Sequence, residues 1–401
     1  MKPSYKGLFG TLILLWIGHF FVDFMIGIWP VYKTLAHLDL AKAGLISAAC
    51  AFIGEGLQVV FGTLSDKGWR KGLIISGVLA TAASTLLAYT QDYMVLFCLF
   101  LTVCIGSGAF HPSAVGLVGN LVKERRGFLI TIFASGGSLG LACSQLIYTH
   151  THFVLGGETV WLILPFIALV ACMVLIGFKK IAVEPSHSKK IDLTQYVKLF
   201  KNRDLRNLYF AQVCNQSVFW ALVFLLPDVL ICREYQPWIC FGGGHLFLIL
   251  GGALMMIPAG YLADKFSPRK VMLYGTIFGM LFFYSLIMFP ILPNYVLMTL
   301  LFFVGATIGM LNPVLVSFGI KLLPSQPGTV SAFLLGLAWC VSEGLGQGGG
   351  GLLTKLFTED APAKALMVLG LFFFIGIFVT YRLPETGEKQ KTVDYARSNS
   401  V

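Results

Sequence analysis

His19 and Asp23 stand four residues apart in an apolar stretch, Trp16-Ile17-Gly18-His19-Phe20-Phe21-Val22-Asp23-Phe24. On a helix they share one face. A histidine and a carboxylate shielded from water can exchange a proton near neutrality. Glu55 (with Gln58 nearby), His111, His245 and Glu343 interrupt apolar runs in the same way. Gln212, Asn215, Gln216 and Phe219 fall at i, i+3, i+4 and i+7, which puts a polar stripe on one side of an apolar helix. Inside hydrocarbon a charged side chain costs about 3 kcal/mol or more, so each such residue is a candidate for binding or proton transfer. The plainer alternative is a structural hydrogen bond. It applies to His19–Asp23 as well, and it is preferred for His245, which follows Gly242-Gly243-Gly244 at a span end. Trp16, Phe20 and Trp220 supply aromatic neighbours, while Tyr and Trp at span ends read as interfacial anchors.

Other chemistries lack their residues. The sequence contains no H-E-x-x-H, G-x-S-x-G or Walker A pattern, so neither an enzyme nor an ATP-driven pump is expected, and no cofactor or metal. The nine cysteines have no metal-type spacing. Cys232 and Cys240 flank a short loop, 233–239, and are candidates for a disulfide on an oxidising side. No Lys or Arg is expected deep within a span. A highly charged phosphate compound would call for a guanidinium, so the substrate reads as neutral, weakly charged or amphiphilic.

The elements that must position these residues are transmembrane helices. Of 401 residues 57% are hydrophobic and only 12% charged, against about a quarter charged in soluble domains. The net charge of +10 sits in short loops between apolar runs, which argues against a nucleic-acid partner. Forty-four glycines and thirty-four phenylalanines suit helices packed closely in lipid. Apolar runs of about 20 residues lie near 8–30, 42–62, 72–91, 93–114, 127–149, 158–178, 206–230, 241–262, 271–290, 294–318, 328–354 and 363–383. The first is too long for a signal h-region and carries His19 and Asp23, so it is expected to be retained.

The longest polar interruption, 179–206, separates an N-terminal six-helix bundle (1–178) from a C-terminal one (207–383), and the polar tail 384–401 is expected to be disordered. Setting both termini and the linker on one side gives that side 24 of the 29 Lys and Arg residues and leaves five opposite, Lys33 among them. The positive-inside rule then puts both termini in the cytoplasm of a cell with this protein in its inner membrane.

Two loops repeat. Gly62-Thr63-Leu64-Ser65-Asp66-Lys67-Gly68-Trp69-Arg70-Lys71 joins the second and third spans, and Gly260-Tyr261-Leu262-Ala263-Asp264-Lys265-Phe266-Ser267-Pro268-Arg269-Lys270 joins the eighth and ninth. His111-Pro112 and Asn312-Pro313 echo each other late in the fourth span of each half, and Gln216 falls where His19 does. Duplicated halves at this spacing mark a transporter built from parallel repeats. The loop pattern G-x-L-x-D-[RK]-x-x-R-[RK] resembles that of the major facilitator superfamily, with Gly68-Trp69 exchanged and Ser267-Pro268 in place of Gly-Arg.

That resemblance implies an all-α membrane protein, twelve transmembrane helices in two pseudo-symmetric six-helix bundles. It implies a cavity lined by the first, fourth, seventh and tenth spans, which brings in His19, Asp23, His111 and Asn312. It makes Asp66 with Arg70, and Asp264 with Arg269, cytoplasmic gate latches; the alternative is ordinary loop charges. Gly18-His19-Phe20-Phe21-Val22-Asp23, Phe110-His111-Pro112-Ser113, Arg126-Gly127 and Gly136-Gly137-Ser138-Leu139-Gly140 resemble the fosmidomycin-resistance-type efflux transporters. The reading is therefore a monomeric secondary transporter in the lipid bilayer. It would export a drug or small metabolite against protons, with Asp23 and His19 exchanging the proton. An uptake symporter or facilitator is the alternative, and a transporter-like sensor or membrane enzyme comes after it.

Overall fold

Every backbone amide inside hydrocarbon must find its partner within the protein, and a helix satisfies this with local bonds alone. The computed structural model describes residues 5–119, 121, 126–175 and 194–385, and among these it contains helices and no strand. Among the described residues, ten helical runs are long and apolar enough to cross a membrane. One of them, Leu40–Tyr89, is 50 residues long and holds the second and third spans. With the shorter apolar helix Thr159–Leu175 as the sixth span, twelve crossings result. The other spans are Leu8–Leu35, Tyr93–Val118, Leu129–Val154, Arg203–Cys232, Ile239–Lys265, Pro268–Met288, Asn294–Leu322, Gly328–Leu356 and Ala361–Tyr381.

Local chemistry sets the joints. Asp39 caps the second span by accepting from the Ala41 and Lys42 amides at 3.0 and 3.1 Å. Asp92 caps the fourth through Met94 and Val95. Between the second and third spans the chain turns at Ser65–Trp69, where Gly68 has φ +102°. Only glycine takes that conformation without strain, which accounts for the exchanged Gly68-Trp69. In the eighth-to-ninth loop Ser267 is extended instead and Pro268 occupies the first turn of the ninth span, a position where its missing N–H costs nothing.

The first span departs from expectation. Helix Tyr5–Ile26 is followed by a second helix, Trp29–Leu35, so the run continues past residue 30 and takes in Lys33. The linker assignment falls partly on 176–193 and the tail assignment mostly on 386–401, both outside the described residues; the end of the linker holds helix Thr194–Lys201.

By contacts the chain forms two compact units. The first comprises Met1–Lys190 with Val223–Leu246 and Gln347–Pro362, and the second Ile191–Leu222, Phe247–Gly346 and Ala363–Val401. In the first, Trp29 stacks on Phe100 with centroids 4.7 Å apart, and Val22, Val78, Phe110 and Phe133 are buried. In the second, Leu208, Met272, Leu315, Phe318 and Phe333 form the core. Large apolar side chains such as Leu254, Ile257 and Phe374 stay exposed on the helices, as lipid-facing residues do.

Candidate functional site

The first unit brings His19, Asp23 and His111 together. His19 Nε2 lies 3.3 Å from Asp23 Oδ2, as the four-residue spacing requires. His111, from the fourth span, adds its Nε2 at 3.1 Å from Asp23 Oδ1 and 3.2 Å from His19 Nε2. The other ring nitrogens have partners as well. His19 Nδ1 is 2.8 Å from the Phe133 carbonyl and His111 Nδ1 is 3.0 Å from the Ser107 carbonyl. A carbonyl only accepts, so His19 Nδ1 carries the hydrogen, whereas His111 Nδ1 also lies 3.0 Å from Ser107 Oγ, a hydroxyl that can donate to it. His19 Nε2, His111 Nε2 and the Asp23 carboxylate converge, and such a set can hold a cation between its members. A proton is the smallest. The ligand atoms lie within 4.8 Å of one another, and two imidazoles with a carboxylate are also a donor set that a first-row transition-metal ion accepts.

The fifth span supplies the wall. The His19 ring stacks on Phe133 at 4.2 Å. A Cβ on Gly137 would meet Asp23 Oδ2 and His19 Nε2, and one on Gly140 would meet the backbone carbonyl of Phe20. The glycine run 136–140 thus makes the room that the pair needs. Trp16 closes one flank by donating to Ser135 Oγ at 3.0 Å. Glu55 is in the same unit but accepts from Gln58 Nε2 at 2.5 Å, and among the described residues no hydrogen bond joins it to the three.

The second unit gathers a neutral set. Gln212 Nε2 donates to Asn312 Oδ1 at 2.6 Å, and Asn215 Nδ2 donates to the Ala211 carbonyl at 2.8 Å. Gln212, Asn215 and Gln216 are buried. Among the described residues Gln212 Oε1, Asn215 Oδ1, Gln216 Nε2 and Trp220 Nε1 have no hydrogen-bond partner. Buried amides in that condition are a standing capacity to bind something polar. Glu343 belongs to this unit, half-buried at the end of helix Ala338–Glu343.

The loop residues pair locally. Asp66 accepts from Arg70 at 3.2 Å, and Arg70 Nε also donates to Ser65 Oγ at 3.0 Å. Asp264 pairs with Lys321 at 2.9 Å rather than with Arg269, which lies 3.8 Å from Glu385 and over the Tyr381 ring. His245 is buried, with Nε2 2.9 Å from the Leu141 carbonyl.

Two expectations are corrected. Cys232 and Cys240 are both free thiols: Cys232 is exposed, while Cys240 is buried with its Sγ 3.2 Å from the Tyr235 carbonyl. A buried cation does lie within a span, for Lys33 is fully buried and pairs with Asp228. The residue counts missed it because a lysine near a span end reads as a loop charge. Asp228, behind Pro227 in an apolar run, was the available signal.

The chain matches the family model of the Major Facilitator Superfamily over residues 12–347 and 246–396. It is 22% identical to the MFS-type transporter YfnC of Bacillus subtilis, with 96% of this chain and 94% of that protein covered. It is 23% identical to the 4-hydroxybenzoate transporter PcaK of Pseudomonas aeruginosa, over 83% and 84% of the two. Its fold is similar to that of a bacterial homolog of the human lysosomal transporter Spinster in an inward-facing, unoccupied conformation, with a TM-score of 0.76, 15% identity, and 94% of this chain and 97% of that one covered.

Proposed function

The chain belongs to the major facilitator superfamily of membrane transporters, and we propose that it exports a drug or small metabolite in exchange for protons, by alternating access. The observation that carries this reading is the convergence of His19, Asp23 and His111 on one point. A shared proton there neutralises a half-buried carboxylate. Rocking the helices so that the point meets water on one side and then the other loads the proton and releases it. Recognition of the substrate falls to Gln212, Asn215, Gln216 and Asn312, and the unfilled hydrogen-bonding capacity of the first three suits a molecule with polar groups on an apolar body. Glu55 and Glu343 are reserve positions for the proton.

The same reading divides the sequence into two six-helix halves around the linker and sets the basic side, with both termini, in the cytoplasm of a monomer in the inner membrane. Asp66 and Asp264, with Arg70 and Arg269 in the same loops, latch the cytoplasmic side in one state and let go in the other; in the conformation described, Asp264 is held by Lys321. Export rests on the likeness to fosmidomycin-resistance-type transporters. Entry of a small metabolite with protons is the second reading, favoured by the similarity to PcaK.

The test is reconstitution in proteoliposomes holding a pH dye, with a compound library screened for substrate-driven proton movement. Protons moving opposite to substrate support export by exchange. Protons moving with it select the second reading. Substrate flux with no proton movement, together with a transition metal bound to the purified protein and lost in Asp23→Asn, would replace the proton at the His19–Asp23–His111 point.

A further inference from the structure

Lys33 is fully buried and bonds to Asp228, whose side chain is 11% exposed. The pair is built into its surroundings. Thr34 Oγ1 accepts from Lys33 Nζ at 2.8 Å and donates to Asp228 Oδ1 at 2.9 Å, and the ammonium lies 4.6 Å from the centre of the Phe224 ring. Both residues belong to the first compact unit, yet they come from opposite halves of the duplicated sequence. Under the offset that sets His19 on Gln216, Lys33 falls on Leu230, two residues beyond Asp228. The pair therefore ties the same, basic-poor ends of two repeat-equivalent spans, the first and the seventh. Close by in the chain, Ser47 bonds to Gln347, and a Cβ on Gly351 would meet the Leu40 carbonyl. Those two contacts join the second and eleventh spans within the same unit.

A permanent joint in this position would be at least as stable with apolar side chains of the same shape, because a buried ion pair regains through attraction little more than it loses in hydration. Surfaces that must part are different. Once separated, an apolar face pays the full hydrophobic penalty in water, whereas a lysine and an aspartate recover their hydration. We propose that Lys33–Asp228 is the latch on the extracellular side of the transporter, closed in the conformation described here and opened by wetting of both charges. The inference rests on the transport reading and its orientation.

The test needs no known substrate. In a background with the exposed Cys98, Cys172 and Cys232 replaced by serine, Phe224→Cys puts a thiol one turn from Asp228 and against Lys33. Its labelling by a membrane-impermeant maleimide added outside intact cells reports how often the latch opens. Labelling should be slow with the pair intact. It should rise at least about tenfold in Asp228→Asn and in Lys33→Gln, each of which strands one buried charge, and fall back in the exchanged Lys33→Asp/Asp228→Lys protein. Equal rates in all of them would overturn the latch, and so would an exchanged pair that labels as fast as the single variants. If the single variants do not reach the membrane folded, the exchanged protein decides alone: folded and slow-labelling supports the latch, folded and fast-labelling refutes it. The proton assay above judges the transport reading separately.

Discussion

His19 and Gln216 occupy equivalent places in the duplicated sequence, as do His111 and Asn312, but the two regions have been given different chemistry. In the first unit a carboxylate and two imidazoles converge, with each ring's second nitrogen already bonded to a carbonyl. In the second, the set at Gln212, Asn215, Gln216 and Asn312 consists of amides, one bonded pair among them and several polar atoms left over. Titrating groups can bind and release a proton; amides at any ordinary pH cannot, though they can donate and accept at once. Under the proposed function, duplication supplied two equal frames and side-chain chemistry divides the work, with coupling in one and recognition in the other.

The strongest way to break that division is Asp23→Asn. It should abolish accumulation against a gradient, a loss of about a hundredfold or more, while downhill exchange continues because the shape survives. Transport assays with and without an imposed pH gradient measure both. An unchanged pH profile with full accumulation would move the coupling to Glu55 or Glu343. His19→Ala should shift the pH optimum rather than abolish transport.

Gly137→Ala tests the same region through packing. The added methyl must displace Asp23 and His19, with an overpacking cost of about 1–3 kcal/mol. Lower thermal stability together with weakened coupling is expected. An alanine variant that behaves as wild type would show that the two side chains have room to spare.

Asn312→Ala should act on the other side of the comparison. It strands the Gln212 amide, a loss of about 1–3 kcal/mol, and should raise the apparent KM for substrate roughly tenfold with proton coupling per substrate unchanged. Loss of coupling instead would erase the distinction between the two regions.

The duplicated loops offer a milder contrast. Asp66→Asn and Asp264→Asn should each lower the transport rate several-fold at normal expression, as latches lose charge-assisted bonds. Asp66, held by Arg70 from its own turn, should be the more sensitive. Wild-type rates in both would leave them ordinary loop charges.

The smallest effect belongs to Asp39 and Lys355, paired at 2.5 Å. The Lys355 ammonium and the amides of Lys42 and Ala41 hold the Asp39 carboxyl below the usual carboxylate range, against a desolvation penalty. A depressed folded pKa contributes stability that is present above about pH 4 and lost as pH falls through the folded value. Lys355→Gln should change stability at neutral pH by less than about 1 kcal/mol, the scale of an exposed pair. It should also remove part of the loss on acidification, read by thermal unfolding at pH 7 and pH 3.

Much of this was legible in the residues. Runs of apolar side chains give spans because lipid leaves the backbone no partner but itself. The repeated loop and the His19–Asp23 spacing are properties of order along the chain. Asp39 and Asp92 cap helices through atoms two and three residues on, so the joints are local as well. His111 was visible as a polar residue in an apolar run, but not its meeting with Asp23, 88 residues away.

The linear order by itself therefore determined the class of molecule, its span count, its internal duplication and the candidates for chemistry. All of these follow from hydropathy and periodicity, which act between neighbours. Only the tertiary structure decided which candidates meet, that the glycine run makes room for them, and that Cys232 and Cys240 are free thiols. It also decided that Lys33 is buried. A lysine at a span end can reach water or turn inward, and what selects between the two is a carboxylate nearly two hundred residues further along the chain.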